Sequence, residues 1–285
     1  AVWLEQGNAV VLQYLDGATI KTVYLGFPLA TSTGSGQATT SSTQRSVRIQ
    51  FLPNNIADIA ASPGGKSTAY ILGSSSGIDG YTAKSDGSNA KKLFSLSLSQ
   101  VNLSWPSQGA LIAQSKSAAG VPGIAFAVDT KSGAVSPLLY APGLSVTADS
   151  SFAHVVYQSV TDGTTVRSTY SYDIKTGVHK PLSFDPFPEK CLWSVAATST
   201  LYCAAPLQYV PPNYLDLWHQ GSASVADSIF SFNIMLGRST ILAAPGSNDG
   251  GALSDIAELA LSPDEHYLSF VTKGGRTLWG VRLAQ

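Results

Sequence analysis

Asp129-Thr-Lys-Ser-Gly133 and Asp173-Ile-Lys-Thr-Gly177 are one phrase, D-x-K-x-G, written twice 44 residues apart. Asn233-Ile-Met-Leu-Gly237 holds the same place after a further 60 residues. Each copy sits between two short alternating segments: Gly123 to Val128 and Val135 to Tyr140, Ser168 to Tyr172 and His179 to Phe184, Ile229 to Phe232 and Ser239 to Ala243. The physical reading is a tight hairpin. An Asp or Asn side chain caps the turn, and Gly takes the positive φ that the bend requires.

A second phrase opens each unit. Ser62-Pro-Gly-Gly65 and Ser262-Pro-Asp-Glu265 both follow apolar segments that begin Ile-Ala, at Ile56 and Ile256. Trp3-Leu-Glu-Gln-Gly7 and Trp105-Pro-Ser-Gln-Gly109 share W-x-x-x-G ahead of an apolar strand, and Cys191-Leu-Trp193-Ser194 is a further copy. Pro fixes the first turn residue, and Asp or Gly completes the bend. Laid end to end, these phrases predict six units at about 1–53, 54–99, 100–145, 146–190, 191–253 and 254–285. Four short strands (a to d) per unit of roughly 40–45 residues is the period of propeller blades. A sheet that is apolar on both faces cannot bury itself alone, and stacking against neighbouring copies solves this. A β-sandwich also shows short strands, but gives no reason for a phrase that returns at a fixed period. The expected class is therefore all-β, one six-bladed propeller domain over residues 1–285.

The run apolar-S-P-[DG]-G, strand, Gly-containing turn, strand and D-x-x-x-G resembles the TolB-type, WD40-like propeller repeat. Units two and six carry it best; unit four reads Ala148-Asp-Ser-Ser-Phe152 and lacks the Pro and Gly. The resemblance implies a scaffold or protein-binding propeller, commonly of the bacterial cell envelope. It specifies fold better than activity.

Composition narrows the function classes. Only 12 % of the 285 residues are charged, and 17 Lys plus Arg nearly cancel 18 Asp plus Glu. A nucleic-acid binder needs a basic surface to displace counterions from phosphate, and none is present. An apolar content of 44 % is too rich for disorder. No run of eighteen apolar residues offers a membrane span.

The phrase alignment also bears on the chain ends. It sets Ala1 in the middle of the innermost strand of unit one and leaves unit six without a fourth strand. The expectation is that residues upstream of Ala1 complete the seam and carry a signal peptide or anchor. That would place the domain outside the cytoplasm, in the periplasm or at the cell surface.

Cys191 and Cys203 fall in strands a and b of unit five, each six residues from a turn near Ala197. They should oppose each other within disulfide reach. Two buried thiols are the alternative, and a bridge would point to an oxidising compartment.

Four segments are candidate sites. Gly73-Ser-Ser-Ser-Gly77 matches G-x-S-x-G, but a strand rather than a helix follows, so a hairpin is expected. The 205–222 insertion between strands b and c of unit five carries Tyr209, Tyr214, Asp216, Trp218 and His219. These form either an aromatic lid packed on the rim or a partner-binding surface, and the second is taken as the site. Asp185, Glu189, Asp249 and Asp255 should reach the same face near Asp216. Oxygen ligands suit Ca²⁺, but the carboxylates lack a ligand spacing, so a solvated rim is expected and no metal. Thr31 to Gln44 reads as a polar loop on the opposite face.

Catalysis finds little support. Sialidase-type boxes are missing, and the four His are scattered over different units, with His154 and His179 reading as structural. The expectation is a non-catalytic binding or scaffold domain for a protein partner, or a glycan, with no cofactor. The alternatives are a hydrolase or lyase with carboxylates at the central channel and self-association through the seam.

Overall fold

The structure, a computed structural model, describes residues 1–28, 46–160, 167–207, 210, 214–244, 255–273 and 278–283. The 31–44 tract, Tyr209 and Asp249 lie outside these residues. Strands β1–β4 (Val2–Leu4, Ala9–Asp16, Thr19–Gly26, Arg48–Phe51) form the first sheet. β5–β8 (Asp58–Ala61, Ser67–Ser74, Gly77–Lys84, Lys91–Leu96) form the second, and β9–β12 (Val101–Ser107, Ala110–Ser115, Pro122–Asp129, Val135–Pro142) the third. β13–β16 (Ser145–Ala148, His154–Val160, Arg167–Asp173, His179–Pro181) form the fourth. β17–β20 (Cys191–Trp193, Thr200–Pro206, Asp227–Asn233, Arg238–Ala243) form the fifth. The sixth has three described strands, β21–β23 (Ile256–Leu261, Tyr267–Thr272, Leu278–Arg282). This is an all-β propeller of six mostly four-stranded antiparallel blades. The chain divides into two compact units, 1–113 with 128–135 and 114–127 with 136–285.

The turn chemistry is the same wherever the phrase occurs. Asp129 Oδ1 accepts from the backbone N–H of Lys131 and Ser132, Asp173 Oδ1 from Thr176, and Asn233 Oδ1 from Met235 and Leu236. Gly133, Gly177 and Gly237 each close the turn with N–H to the Asp or Asn carbonyl at 2.9 Å, at φ of 73°, 71° and 63°. The opening phrase has its own geometry. Ser62 Oγ accepts from Ser67 N–H, and Ser262 Oγ from Tyr267 N–H, both at 3.0 Å. Unit four keeps this turn without Pro or Gly: Asp149 Oδ1 accepts from Ala153 N–H at 2.8 Å, and Phe152 takes a φ of 55° where Glu265 also has 55°. Gly73-Ser-Ser-Ser-Gly77 is the hairpin between β6 and β7, with Ser74 opposite Gly77.

Sheets bury both faces against neighbours within each unit. On β6, Ala69 and Ile71 enter a core with Val101, Leu111 and Val128, while Tyr70 enters another with Leu4, Val11 and Tyr24. On β18, Leu201 and Cys203 pack with Val156 and Phe232, while Ala204 faces Ile256, Leu268 and Phe270. The period-two alternation of a strand is what divides one segment between two cores. A polar link recurs beside them. Gln13 Nε2 donates to Ile56 O at 3.0 Å, and Gln114 Oε1 accepts from Val146 N–H at 2.9 Å. The segments Ala9-Val-Val-Leu-Gln13 and Ala110-Leu-Ile-Ala-Gln114 thus each end on a Gln that reaches the start of the next sheet.

Cys191 pairs with Cys203 across β17 and β18, with a Cα separation of 4.1 Å, and the two form a disulfide. Their separation of 12 residues closes a short loop in the unfolded chain. Replacing both with Ser should lower the unfolding free energy in urea by about 3 kcal/mol. An unchanged midpoint and slope would contradict that expectation.

Candidate functional site

The second compact unit holds the insertion of the fifth blade. β18 runs to Pro206 and β19 begins at Asp227, and a six-residue helix, α1 (Tyr214–His219), stands between them. A helix this short is held by what it touches rather than by its own hydrogen bonds. Tyr214 is only 4 % exposed, packed on Phe187 at a ring separation of 5.2 Å. Trp218 stacks parallel to the same Phe187 ring at 6.1 Å. Asp216 Oδ1 accepts from Ala119 N–H at 2.9 Å.

Beneath the helix lies a buried ionic cluster. Pro188–Lys190 forms a single 3-10 turn that carries the Lys190 side chain wholly out of solvent. Its ammonium donates to Asp227 Oδ2 at 2.8 Å and to Asp255 Oδ1 at 2.5 Å. Asp227 Oδ2 also accepts from Ile256 N–H at 2.9 Å, and Asp227 Oδ1 is buried with no hydrogen-bond partner among the described residues. Asp255 is saturated: the Trp218 indole N–H reaches both its oxygens at 2.9 and 3.0 Å, and Ser224 Oγ donates at 3.0 Å. Two cations flank the Trp218 ring, Lys190 at 4.7 Å and Lys273 at 4.2 Å from its centroid. The Lys273 ammonium also donates to the Trp218 carbonyl.

A buried ammonium costs several kcal/mol in lost hydration unless anions and hydrogen-bond acceptors replace its water. Two carboxylates and an indole face do this here, while Lys273 on the same ring is a like charge that adds repulsion. Burial is the largest influence on Asp227 and raises its pKa above the ordinary carboxylate value, against the opposing pull of Lys190. At the outer surface His219 Nε2 meets Glu189 Oε2 at 2.9 Å, and that hydrogen bond raises the imidazole pKa.

The residues expected from the sequence therefore divide. Tyr214 and Trp218 point inward as a lid, Asp216 is a loop anchor, and His219 lies at the surface beside Glu189. Tyr209 and Asp249 lie outside the described residues. Of the carboxylates expected to form one solvated rim, Asp185 and Glu189 are exposed and Asp255 departs from the expectation. Asp255 is 1 % exposed because it pairs with Lys190, which is a correction, whereas Asp185 is exposed and accepts from Thr169 N–H. Among the described residues no three or more His, Cys, Asp or Glu stand together as metal ligands. His154 and His179 are internally satisfied, by Asp149 at 2.9 Å and Tyr157 at 3.0 Å. Lys190 and Asp227 escaped sequence reasoning. Their one local signal is a charge close to apolar residues, in Phe187-Pro-Glu-Lys190-Cys191 and Asp227-Ser-Ile-Phe230.

Asp227→Asn keeps an oxygen for Lys190 and for the Ile256 amide. With its folded-state pKa raised, Asp227 contributes stability that is fully present below the ordinary carboxylate pKa and is lost as pH rises through the folded value. In urea unfolding from acid to neutral pH, wild-type stability minus that of the Asn variant should fall as pH rises. A difference that grows with pH would contradict the reading.

No protein-family model and no curated protein matches the sequence. Solved structures do. TolB from Acinetobacter baumannii aligns with a TM-score of 0.56 at 13 % identity, over 99 % of this chain and 65 % of that one. Kuenenia stuttgartiensis hydrazine synthase gives 0.61 at 11 %, over 99 % and 75 %. Pyrococcus horikoshii acylaminoacyl peptidase gives 0.58 at 12 %, over 100 % and 48 %. The chain thus spans just under two thirds of the TolB chain and about half of the peptidase chain. At these identities the likeness is one of fold: a six-bladed propeller distantly related to those of TolB and of propeller proteases.

Proposed function

We propose that this chain is a non-catalytic propeller domain that binds a protein partner through the face bearing the 205–222 insertion, in a cell-envelope protein. The observation that carries the proposal is the anchoring of α1. Tyr214 and Trp218 fix the helix, so its last residue, His219, is presented on an anchored base next to Glu189. A preformed surface binds with less ordering cost than a mobile one. The partner-contact residues are then His219 with Glu189, while Tyr214, Asp216 and Trp218 set their position. The disulfide supports an oxidising compartment. No helix among the described residues is long and apolar enough to cross a membrane. Attachment of the protein to the membrane belongs to the same proposal.

The competing hydrolase or lyase reading draws on the peptidases among the structural relatives. The two readings separate in one set of measurements. A partner captured from envelope extract, then purified, should bind His219→Ala at least about tenfold more weakly, as expected for an interface anchor, and Trp218→Ala more weakly as well, because the helix that positions His219 is released. It should bind Tyr140→Ala, altered at a side chain 69 % exposed on β12, unchanged. Equal loss in all three, or turnover of chromogenic peptide or glycoside substrates by the purified chain, would overturn the binding reading.

A further inference from the structure

The first compact unit holds a cavity lined by its own residues. It has a volume of about 860 Å³ and opens among the turns that follow β1 and β5 and the ends of β3 and β7. Its walls carry Glu5, Gln6, Asn8, Phe27, Lys66 and Gln108. The turn that supplies the first three is strained. Glu5, Gln6 and Gly7 are successively left-handed, at φ of 51°, 56° and 90°. For Glu and Gln that conformation persists only where the surroundings enforce it, and such strain gathers at ligand sites.

The enforcement is visible. Glu5 N–H donates to Gly65 O at 3.2 Å, and Asn8 Nδ2 donates to Glu5 O at 2.8 Å. The approach of the two turns is so close that a Cβ on Gly65 would lie 2.5 Å from the Glu5 nitrogen. The Glu5 carboxylate is then held by one oxygen. Oε1 accepts from Tyr24 OH at 3.1 Å and from Ser85 Oγ at 2.5 Å, and Oε2 has no partner among the described residues. The Lys66 ammonium likewise has none among them. Gln108 Nε2 bonds Pro63 O at 2.7 Å, which fixes the amide and leaves its carbonyl oxygen and second N–H for a ligand.

We infer that this cavity binds a saccharide, through the fixed Glu5 carboxylate, the amides of Gln6, Asn8 and Gln108, and Lys66. Sugar hydroxyls both donate and accept, and planar amides and a carboxylate match them two bonds at a time. The apolar face of a sugar ring matches an exposed aromatic. Phe27 is 39 % exposed on the wall, and Trp3, 61 % exposed, stands beside it at 6.4 Å between ring centres. One anion balances one cation, which suits a neutral ligand. A peptide strand would need a row of open backbone groups. Here the backbone is engaged: Phe27 N–H with Asn8 O, Gly65 N–H with Ser62 O, and Ser85 N–H with Lys66 O.

The test is a titration of the whole chain with maltotriose, cellotriose and chitotriose, followed by tryptophan emission and by the side-chain amide signals of Gln6, Asn8 and Gln108. At least one trisaccharide should shift all three amides and saturate. Glu5→Gln and Lys66→Ala should each weaken it about five- to tenfold, the effect of one lost hydrogen bond. Lys66→Ala removes an exposed side chain that has no partner among the described residues, so it keeps the test open if Glu5→Gln misfolds. Tyr140→Ala should bind as the parent does. No shift with any trisaccharide, unchanged affinity in Lys66→Ala, or tighter binding of a tetra-alanine peptide to the same amides would overturn the inference.

Discussion

The Lys190 ammonium is the point on which the second compact unit turns. It sits with no exposure between Asp227, at the start of β19, and Asp255, just before β21. The residues it joins lie 37 and 65 positions along the chain. An uncompensated charge there would cost several kcal/mol, so the Lys190 turn, the start of β19, the start of β21 and α1 have to assemble together. Replacement of such a cluster by apolar side chains is often tolerated in proteins, so its worth here is positional. It fixes which way the insertion lies.

Around that cluster the fold rests on a simpler constraint. Strands such as β6 and β18 are apolar on alternate and on intervening positions, so one strand feeds two cores. Neither core exists until the next sheet is in place, as in other repeat architectures. The Gln13 and Gln114 links add direction to this packing, because an amide that must reach a particular backbone group penalises a shifted register.

What could be read from residues alone was what is local. Asp129, Asp173 and Asn233 cap their turns with atoms three residues away or fewer, so the phrase and its geometry are the same information. The opposition of Cys191 and Cys203 follows from counting outward from one turn. Phe152 shows the limit: the turn of unit four survives with a residue poorly suited to positive φ, because Asp149 supplies the hydrogen bond. The site was less legible. Aromatic residues such as Tyr214 and Trp218 suit a lid and an interface equally, and only the position of Asp255 decides. Gly7 marks a turn after Trp3, but the strain at Glu5 and Gln6 goes with the close approach of Gly65, sixty residues away, which the sequence does not show.

One buried ammonium holds α1, β19 and β21 in a single arrangement. Amide hydrogen exchange of Lys190→Met against the parent tests it most directly. Residues 214–219, 227–233 and 256–261 should lose protection together, while 67–84 in the other compact unit keep theirs. Protection unchanged in all three segments, or lost only beside residue 190, would contradict it.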